Sequence, residues 1–275
     1  MSYKVTTVIT SDKAVANNES RLSICLTANG FSLFVVDGRG MLDRFVEAEF
    51  DTRQPLAGLM HELNAIFSEV GISTFGFKSA TLVVPTNYYV WIPAHLHESV
   101  RNRQYLKMVA NPDYDLGVYH ISVPLLKSVM VFCAPADVVT AFKLVIPGID
   151  VHCQHSVLAH NWMTKNKSQH PVLLLHVRDG VGDFEAFFNR QLLLSNSFNI
   201  QQESELVYRA IELMKQLHLE TPDMELSICG NVGREFFAMM QPYFPNVTLF
   251  AGPAAAVSHP QFRTFPAYRH VMLLS

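Results

Sequence analysis

From residue 21 the chain alternates short apolar, β-branched runs with glycine-marked turns. The stretch RLSICLTANGFSLFVVDGRGMLDRFVEAEF carries such runs at 22–27, 31–36 and 41–50, separated by Asn29-Gly30 and Asp37-Gly38. Two-residue hairpin turns favour these dipeptides, so the pattern predicts three strands in hairpin order. From Pro55 to Val70 the period changes. Leu56, Leu59, Leu63, Ile66, Phe67 and Val70 recur at three- and four-residue spacing, which predicts a helix that Gly71 ends. ATLVVP, 80–85, reads as a further strand.

Residues 86–124 read as an insertion. NYYVWIP is aromatic and extended, AHLHESVRNRQYLKMV is compatible with a helix whose apolar positions are Leu96, Val100, Leu106 and Val109, and DLGVYHISV is a strand candidate. A strand at 128–133, a helix from Pro135, a strand at 149–154 and a helix at 156–165 follow. Past the polar NKSQHP, 166–171, the opening pattern returns. PVLLLHVRDGVGDFEAFFNRQLLLSNSF again predicts three strands, with Asp179-Gly180 in the first turn and Asn189-Arg190 in the second. A helix at 203–218, a strand at 225–229, a helix at 232–240 and a strand at 247–250 complete this part. The tail carries the aromatic-basic QFRTFPAYRH, read as leading into a closing strand. The order β-β-β-α-β-α-β thus occurs twice. The predicted organisation is a flexible arm over 1–20, a first half over 21–155 containing the insertion, and a second half over 156–275.

Composition narrows the function classes. The chain has 275 residues with 21 Lys and Arg against 24 Asp and Glu, a formal net charge of −3. No field arises that would concentrate nucleic acid or an anionic membrane surface. Hydrophobic residues make up 49% and charged residues 16%, which suits a large buried core and excludes a disordered chain. The N-terminal MSYKVTTVITSDKAV lacks the apolar centre of a signal peptide. The most apolar stretch, SVMVFCAPADVVTAFKLVIPGIDV, is broken by Pro135, Asp137, Lys143 and Pro147, so no membrane insertion and a cytoplasmic location are expected. Cys25, Cys133, Cys153 and Cys229 lie in strand-like runs without a C-x-x-C pair and are expected to be reduced, buried thiols.

Metal and nucleophile chemistry find little support. His152, Cys153, His155 and His160 form the densest ligand group, but a strand sends His152 and Cys153 to opposite faces. No G-x-S-x-G, H-E-x-x-H, G-x-x-x-x-G-K-[ST] or G-x-G-x-x-G pattern is present. The insertion offers a different chemistry. Trp91 in its aromatic run, with Arg101 and Arg103 in the segment after it, matches the residue types enriched at protein interfaces.

The doubled order of elements resembles the ribonuclease-H-like unit of the actin, hexokinase and sugar-kinase superfamily. More closely, LSICLTANGFSLFVVD, HVRDGVGDFEAFF and ELSICGNVGREFF with YFPNV resemble a family of uncharacterised bacterial proteins. That family carries a degenerate actin-like fold, distantly similar to actin-like proteins of pilus assembly and cell division. The resemblance implies an α/β chain with two mixed β-sheets flanked by helices. It also implies a cleft in which active members of the superfamily hold ATP and magnesium, through an Asp, glycines and a hydroxyl after the first strand of each half. Carried over by position, the first of these turns is Thr27-Ala28-Asn29-Gly30-Phe31-Ser32, without the Asp and with Phe31 where a phosphate would need space. The second is Arg178-Asp179-Gly180-Val181-Gly182-Asp183, where Asp183 would repel a phosphate. The adenosine turn corresponds to Gly230-Asn231-Val232-Gly233, with Asn231 available as a helix cap.

Phosphoryl transfer depends on positioned charge, so these departures lead to an expectation of a non-catalytic protein that binds an unidentified protein partner, with no cofactor. The alternatives are a divergent ATP-binding phosphotransferase or ATPase using Asp179 and the Gly230–Gly233 turn, and a small-ligand sensor without turnover. Oligomeric state is left open.

Overall fold

The computed structural model describes residues 3–11, 19–111, 116–166, 170–219, 224–252, 262 and 266–273, with the side chain of Arg234 left aside. The chain divides into two compact units. The first is Met1–Val157 with Ala254–Phe265 and Met272–Leu274, and the second is Leu158–Pro253 with Pro266–Val271. C-terminal residues Phe262, Met272 and Leu273 therefore belong with the first unit, although the sequence order assigns the whole tail to the second half.

In the first unit, β1 (Lys4–Thr10), β2 (Arg21–Thr27), β3 (Gly30–Val36), β4 (Leu42–Glu49) and β5 (Ser79–Val84) join β9 (Asp150–Cys153) in one sheet, in the order β1-β4-β3-β2-β5-β9. β2, β3 and β4 are antiparallel neighbours, and β5 and β9 run parallel to β2. Part of the stretch expected to be a loose arm is a strand in this sheet. Lys4–Thr10 alternates exposed and half-buried positions and pairs antiparallel with β4, covering its outer edge. Residues 12–18 of that arm lie outside the described residues.

The two-residue turn between β2 and β3 is Ala28-Asn29, and Gly30 opens β3 opposite Thr27. The turn is thus one residue earlier than expected, and Gly30 serves packing instead: a Cβ on it would lie 2.0 Å from the Ala48 carbonyl oxygen on β4. Helices α1 (Leu56–Glu69) and α3 (Ala136–Val145) pack on one another, and their apolar faces bury Leu59, Leu63, Ile66, Val138, Phe142 and Val145 together with Leu22, Ile24, Phe31, Leu33 and Leu82 of the sheet. At roughly 1.5–3 kcal/mol per large apolar side chain, this layer is the main source of the unit's stability.

The insertion forms its own three-stranded sheet, β6 (Tyr89–Pro93), β8 (Ser128–Pro135) and β7 (Leu116–Val123), with β8 in the centre. The strand at 128–133 thus belongs with the insertion. Over this sheet lies the short α2 (Asn102–Lys107), whose Leu106 is fully buried against Val129, Val131 and Cys133. Two 3-10 turns, Ala94–Leu96 and Ser99–Arg101, replace the first part of the expected helix. That break in period rotates Leu96 and Val100 off the Leu106 face, and they are 58% and 87% exposed.

Helix α4 (Gln154–Lys165) carries the division between units. The second sheet contains β10 (Val172–Arg178), β11 (Val181–Phe188), β12 (Gln191–Asn199), β13 (Glu225–Gly230) and β14 (Asn246–Leu249), in the order β12-β11-β10-β13-β14. β10, β11 and β12 are antiparallel, and β13 and β14 run parallel to β10. This is the order and sense of β4-β3-β2-β5-β9, so the expected repeat of architecture is present in the strands. Asn189 and Arg190 both have positive φ, 48° and 60°, as a two-residue turn of mirror-image type demands between Phe188 and Gln191. Helices α5 (Ser204–Gln216) and α6 (Arg234–Met240) cover one face, with Leu206, Ala210, Leu213 and Phe236 against Leu173, Leu175, Phe184 and Ile228. The tail closes as a 3-10 helix over Ala267–Leu273, not as a strand.

The four cysteines are free thiols. Three are buried in strands, and burial pushes the Cys133 thiol up and the Cys229 thiol well up, away from the thiolate form that reacts. Within the group His152, Cys153, His155 and His160, Cys153 Sγ donates to Gln154 Oε1 at 3.0 Å, and the buried His155 ring lies against Tyr89 with ring centroids 4.0 Å apart. No helix among the described residues is long and apolar enough to cross a membrane.

Candidate functional site

In the second unit β10 and β13 are parallel and in register, with Val177 opposite Gly230, so both strands deliver their C-terminal ends to one edge of the sheet. The turns that follow them carry Asp179, Gly180, Gly230, Asn231 and Gly233. The chain leaves β13 through Gly230 at φ +91°, and Asn231 then donates its backbone N–H to the Val177 carbonyl at 2.7 Å. A Cβ on Gly230 would lie 2.1 Å from that same carbonyl. Both the positive φ and the close approach make glycine a requirement of folding here. Gly233 differs. Its φ is −98°, nothing would lie within 4 Å of a Cβ, and it is the residue that caps α6. No side chain caps this helix, so Asn231, expected as the cap, stands exposed instead.

Beside this turn lies a pocket of about 290 Å³, lined by Val232, Gly233, Phe237, Gln241, Leu249 and Tyr268. α6 contributes one wall, β14 contributes Leu249, and the 3-10 helix contributes Tyr268. The walls are apolar and aromatic, with the Gln241 amide and the Tyr268 hydroxyl as polar tips, the composition of a site that holds a flat apolar group and orients it by a few hydrogen bonds. Sequence reading placed Gly233 here but missed Phe237, Leu249 and Tyr268. Tyr268 had a signal only as part of an aromatic-basic patch, since its approach to α6 depends on the tail turning as a 3-10 helix.

The phosphate turns are arranged differently from what the carried-over pattern implies. Asp179 and Gly180 form an exposed two-residue hairpin, with Gly180 at φ +67°. Asp183 does not face a ligand. It is fully buried on β11 and bound by Arg178, whose Nε donates to Oδ2 at 2.8 Å and whose Nη2 donates to Oδ1 at 3.2 Å. Ser197 Oγ donates to Oδ1 at 2.7 Å, and His176 Nδ1 lies 3.1 Å from Oδ2. One pleat along, Glu185 is also fully buried, and burial followed by the Asp183 charge pushes its carboxyl well above the usual range. In the first unit Asn29 is exposed on its turn and its carbonyl accepts from Phe50 N at 2.9 Å. Phe31 takes no space from that turn: it is 1% exposed, stacked on Phe67 with centroids 6.0 Å apart and edge-on to Phe142.

The residues expected to meet a partner sit in the insertion. Trp91 is half-buried on β6 opposite Met130, and its body packs toward the first unit's core. Arg101 is exposed and paired to Glu98 at 2.9 Å, and Arg103 is exposed on α2. In the same segment Leu96, Val100, Met108 and Val109 are 58%, 87%, 81% and 56% exposed, although the helical reading counted Leu96, Val100 and Val109 with Leu106 among its apolar positions.

Solved structures with this architecture are known. The chain is similar to a protein of Bacteroides thetaiotaomicron with actin-like ATPase fold and unknown function, at 19% identity, 86% of this chain and 94% of that one, and a TM-score of 0.74. It is also similar to a chain of the PilM-PilN type IV pilus biogenesis complex, at 11% identity, 92% and 96% coverage, and a TM-score of 0.58. Both establish the fold as actin-like. Curated protein sequences give no match. The model of one family, described as "Protein of unknown function (DUF3822)", matches residues 11–247, and the chain belongs to that family.

Proposed function

We propose that the protein is a non-catalytic actin-like protein of the cytoplasm, one folding pattern used twice, which acts by binding a protein partner through its insertion. The observation that carries this reading is the set of exposed Leu96, Val100, Met108 and Val109 beside Arg101 and Arg103. Exposed apolar side chains interleaved with Arg are the composition of an interface centre. The neutralisation of Asp183 by Arg178 and the absence of an Asp from the first turn support a fold that no longer positions magnesium for phosphoryl transfer. The PilM-PilN complex, in which a neighbour of similar fold is assembled with another protein, supports a binding role.

The test is affinity capture from lysate of the producing cells with the wild-type protein and with Val100→Asp plus Met108→Asp. A partner retained by the wild type and lost by the variant, with unchanged circular dichroism, is the expected result. An identical set of captured proteins would count against the insertion.

The pocket at Gly233 favours a second reading, a small-ligand sensor without turnover. A ligand confined to the native state raises Tm, by about 2.7 kcal/mol of stability at a hundredfold excess over Kd. Magnesium-ATP is expected to give no such rise, and adenosine alone would give one if the pocket holds a nucleoside. A rise with magnesium-ATP that requires magnesium, together with phosphate release, would restore the ATPase alternative.

A further inference from the structure

Three side chains meet across three elements of the insertion. His97 follows the first 3-10 turn, Asn102 opens α2, and His120 lies on β7. The Asn102 carboxamide stands between the two rings. Its Oδ1 is 2.8 Å from His97 Nε2, and its Nδ2 is 3.0 Å from His120 Nδ1. The ring centroids are 5.2 Å apart. His97 and Asn102 are half-buried, and His120 is exposed.

These contacts anchor the segment that carries the exposed Leu96 and Val100. Among the described residues, Ala94 N donates to the Lys127 carbonyl, whereas the amides of His97 and Arg101 only close their own 3-10 turns, onto Ala94 and Glu98. Such short turns are weakly bonded by themselves. Side chains supply the further attachment. The Tyr105 hydroxyl of α2 donates to the Leu96 carbonyl at 3.0 Å and accepts from Glu98 N at 3.2 Å, and the His97–Asn102–His120 chain ties the same segment to α2 and β7.

A carboxamide offers an acceptor oxygen and a donor nitrogen. Whichever way it is turned, one histidine must donate to it and the other must accept, so one of the two facing ring nitrogens must carry no proton. A first proton can be accommodated, because the ring that donates can be charged while the other stays neutral. A second proton sets an N–H against the amide N–H and places two cations side by side, which disfavours both. The surroundings do not offset this. α2 carries Arg103, Lys107 and the Tyr105 phenol, and the turns carry His95 and Arg101. Lys127 precedes β8, β8 brings the buried Cys133 thiol to this layer, and β6 brings Val90 and Ile92. Glu98 is the one carboxylate on these elements among the described residues, and Arg101 Nε already donates to it at 2.9 Å.

We infer that His97, Asn102 and His120 form a pH-dependent clasp on the insertion, closed while at most one of the two rings is charged and opened by the second proton. The open form holds one proton more than the closed form, so the clasp weakens as pH falls. Histidine is the side chain whose charge ordinarily changes between about pH 5 and 8. What the clasp regulates, the presentation of Leu96 and Val100, rests on the partner-binding reading. The clasp itself belongs to the chain alone, and its test needs no partner, so the two can fail separately.

Hydrogen exchange of the full chain, compared between about pH 7.5 and about pH 5 and corrected for the intrinsic pH dependence of exchange, reads the clasp at the amides of His97, Glu98 and Arg101. Wild type is expected to lose about fivefold of their protection at the lower pH, roughly the equilibrium weight of one side-chain hydrogen bond, while the amides of β8 keep theirs. Asn102→Ala should show the lower protection at both pH values. Asn102→Asp is decisive, because a carboxylate accepts from both rings when both are charged. Its protection at the lower pH should equal or exceed that at the higher one, which a general loosening by acid would not give. Wild-type protection that does not change with pH overturns the inference. So does an Asn102→Asp chain that loosens in acid as wild type does, or an Asn102→Ala chain as protected as wild type at the higher pH.

Discussion

Arg178 and Asp183 lie across one hairpin, five residues apart, and the guanidinium holds both oxygens of a carboxylate that is 0% exposed. The pair is possible because β10 and β11 place His176 directly opposite Asp183 and bring Arg178 to the open end of the strand, where it keeps 21% of its side chain in solvent. A buried carboxylate that loses its cation is left uncompensated, at a cost of about 3–5 kcal/mol. Arg178→Met should therefore lower the unfolding free energy by about that much in urea denaturation. Adding Asp183→Asn to it should recover a large part, because the buried charge is then gone. A double variant as unstable as the single one would show that the guanidinium acts through packing alone.

The glycines of the adenosine-like turn should separate folding from ligand contact. Gly230→Ala forces a Cβ to 2.1 Å from the Val177 carbonyl at φ +91°, so it should cost at least about 2 kcal/mol whether or not any ligand binds. Gly233→Ala meets nothing within 4 Å at an ordinary φ and should stay within about 1 kcal/mol of wild type. Chemical denaturation of both variants checks this. If a group does settle on the exposed Gly233 backbone, the methyl of Gly233→Ala should weaken its binding without moving stability.

Much of the architecture could be read from hydrophobic spacing, and the reasons it failed elsewhere are specific. The helices at 56–69 and 204–216 and, β1 apart, the strands of both sheets follow from spacing and turn residues. β1 was missed because KVTTVIT, with three threonines in seven residues, alternates exposed and half-buried positions without a buried face, and its partner β4 lies some forty residues away, a pairing that local pattern does not encode. The insertion helix was read too long because apolar residues at 96 and 100 fit its period, although they are solvent-facing. Asp183 read as a ligand-facing acid because its turn was matched by position. Only the antiparallel register reveals that it is buried and turned to Arg178.

His270 gives the stability a slope on the acidic side. Burial, and then the neighbouring Arg269 charge, lower its pKa from 6.5 to about 4. The unfolded chain therefore binds a proton that the native chain refuses between these values, and stability is lost as pH falls from about 6.5 toward 4. The difference is worth about 3 kcal/mol when complete. Thermal melts of His270→Gln between pH 7 and pH 4.5 should fall less steeply than those of wild type. Parallel curves would place the acid sensitivity in other groups.

Glu185 should act with the opposite sign. Burial and then Asp183 raise its pKa well above 4.5, so the folded chain keeps the proton to higher pH than the unfolded chain, which releases it near that value. The native state then holds a proton that the unfolded state has lost, so this group's contribution is complete below about pH 4.3 and declines as pH rises. Glu185→Gln keeps the shape and removes the titration. The variant should match wild type near pH 4 and become progressively more stable than it toward pH 8, a divergence that paired thermal melts across that range would register. A Tm difference that is constant with pH would mean that folding leaves the Glu185 pKa where it stands in the unfolded chain.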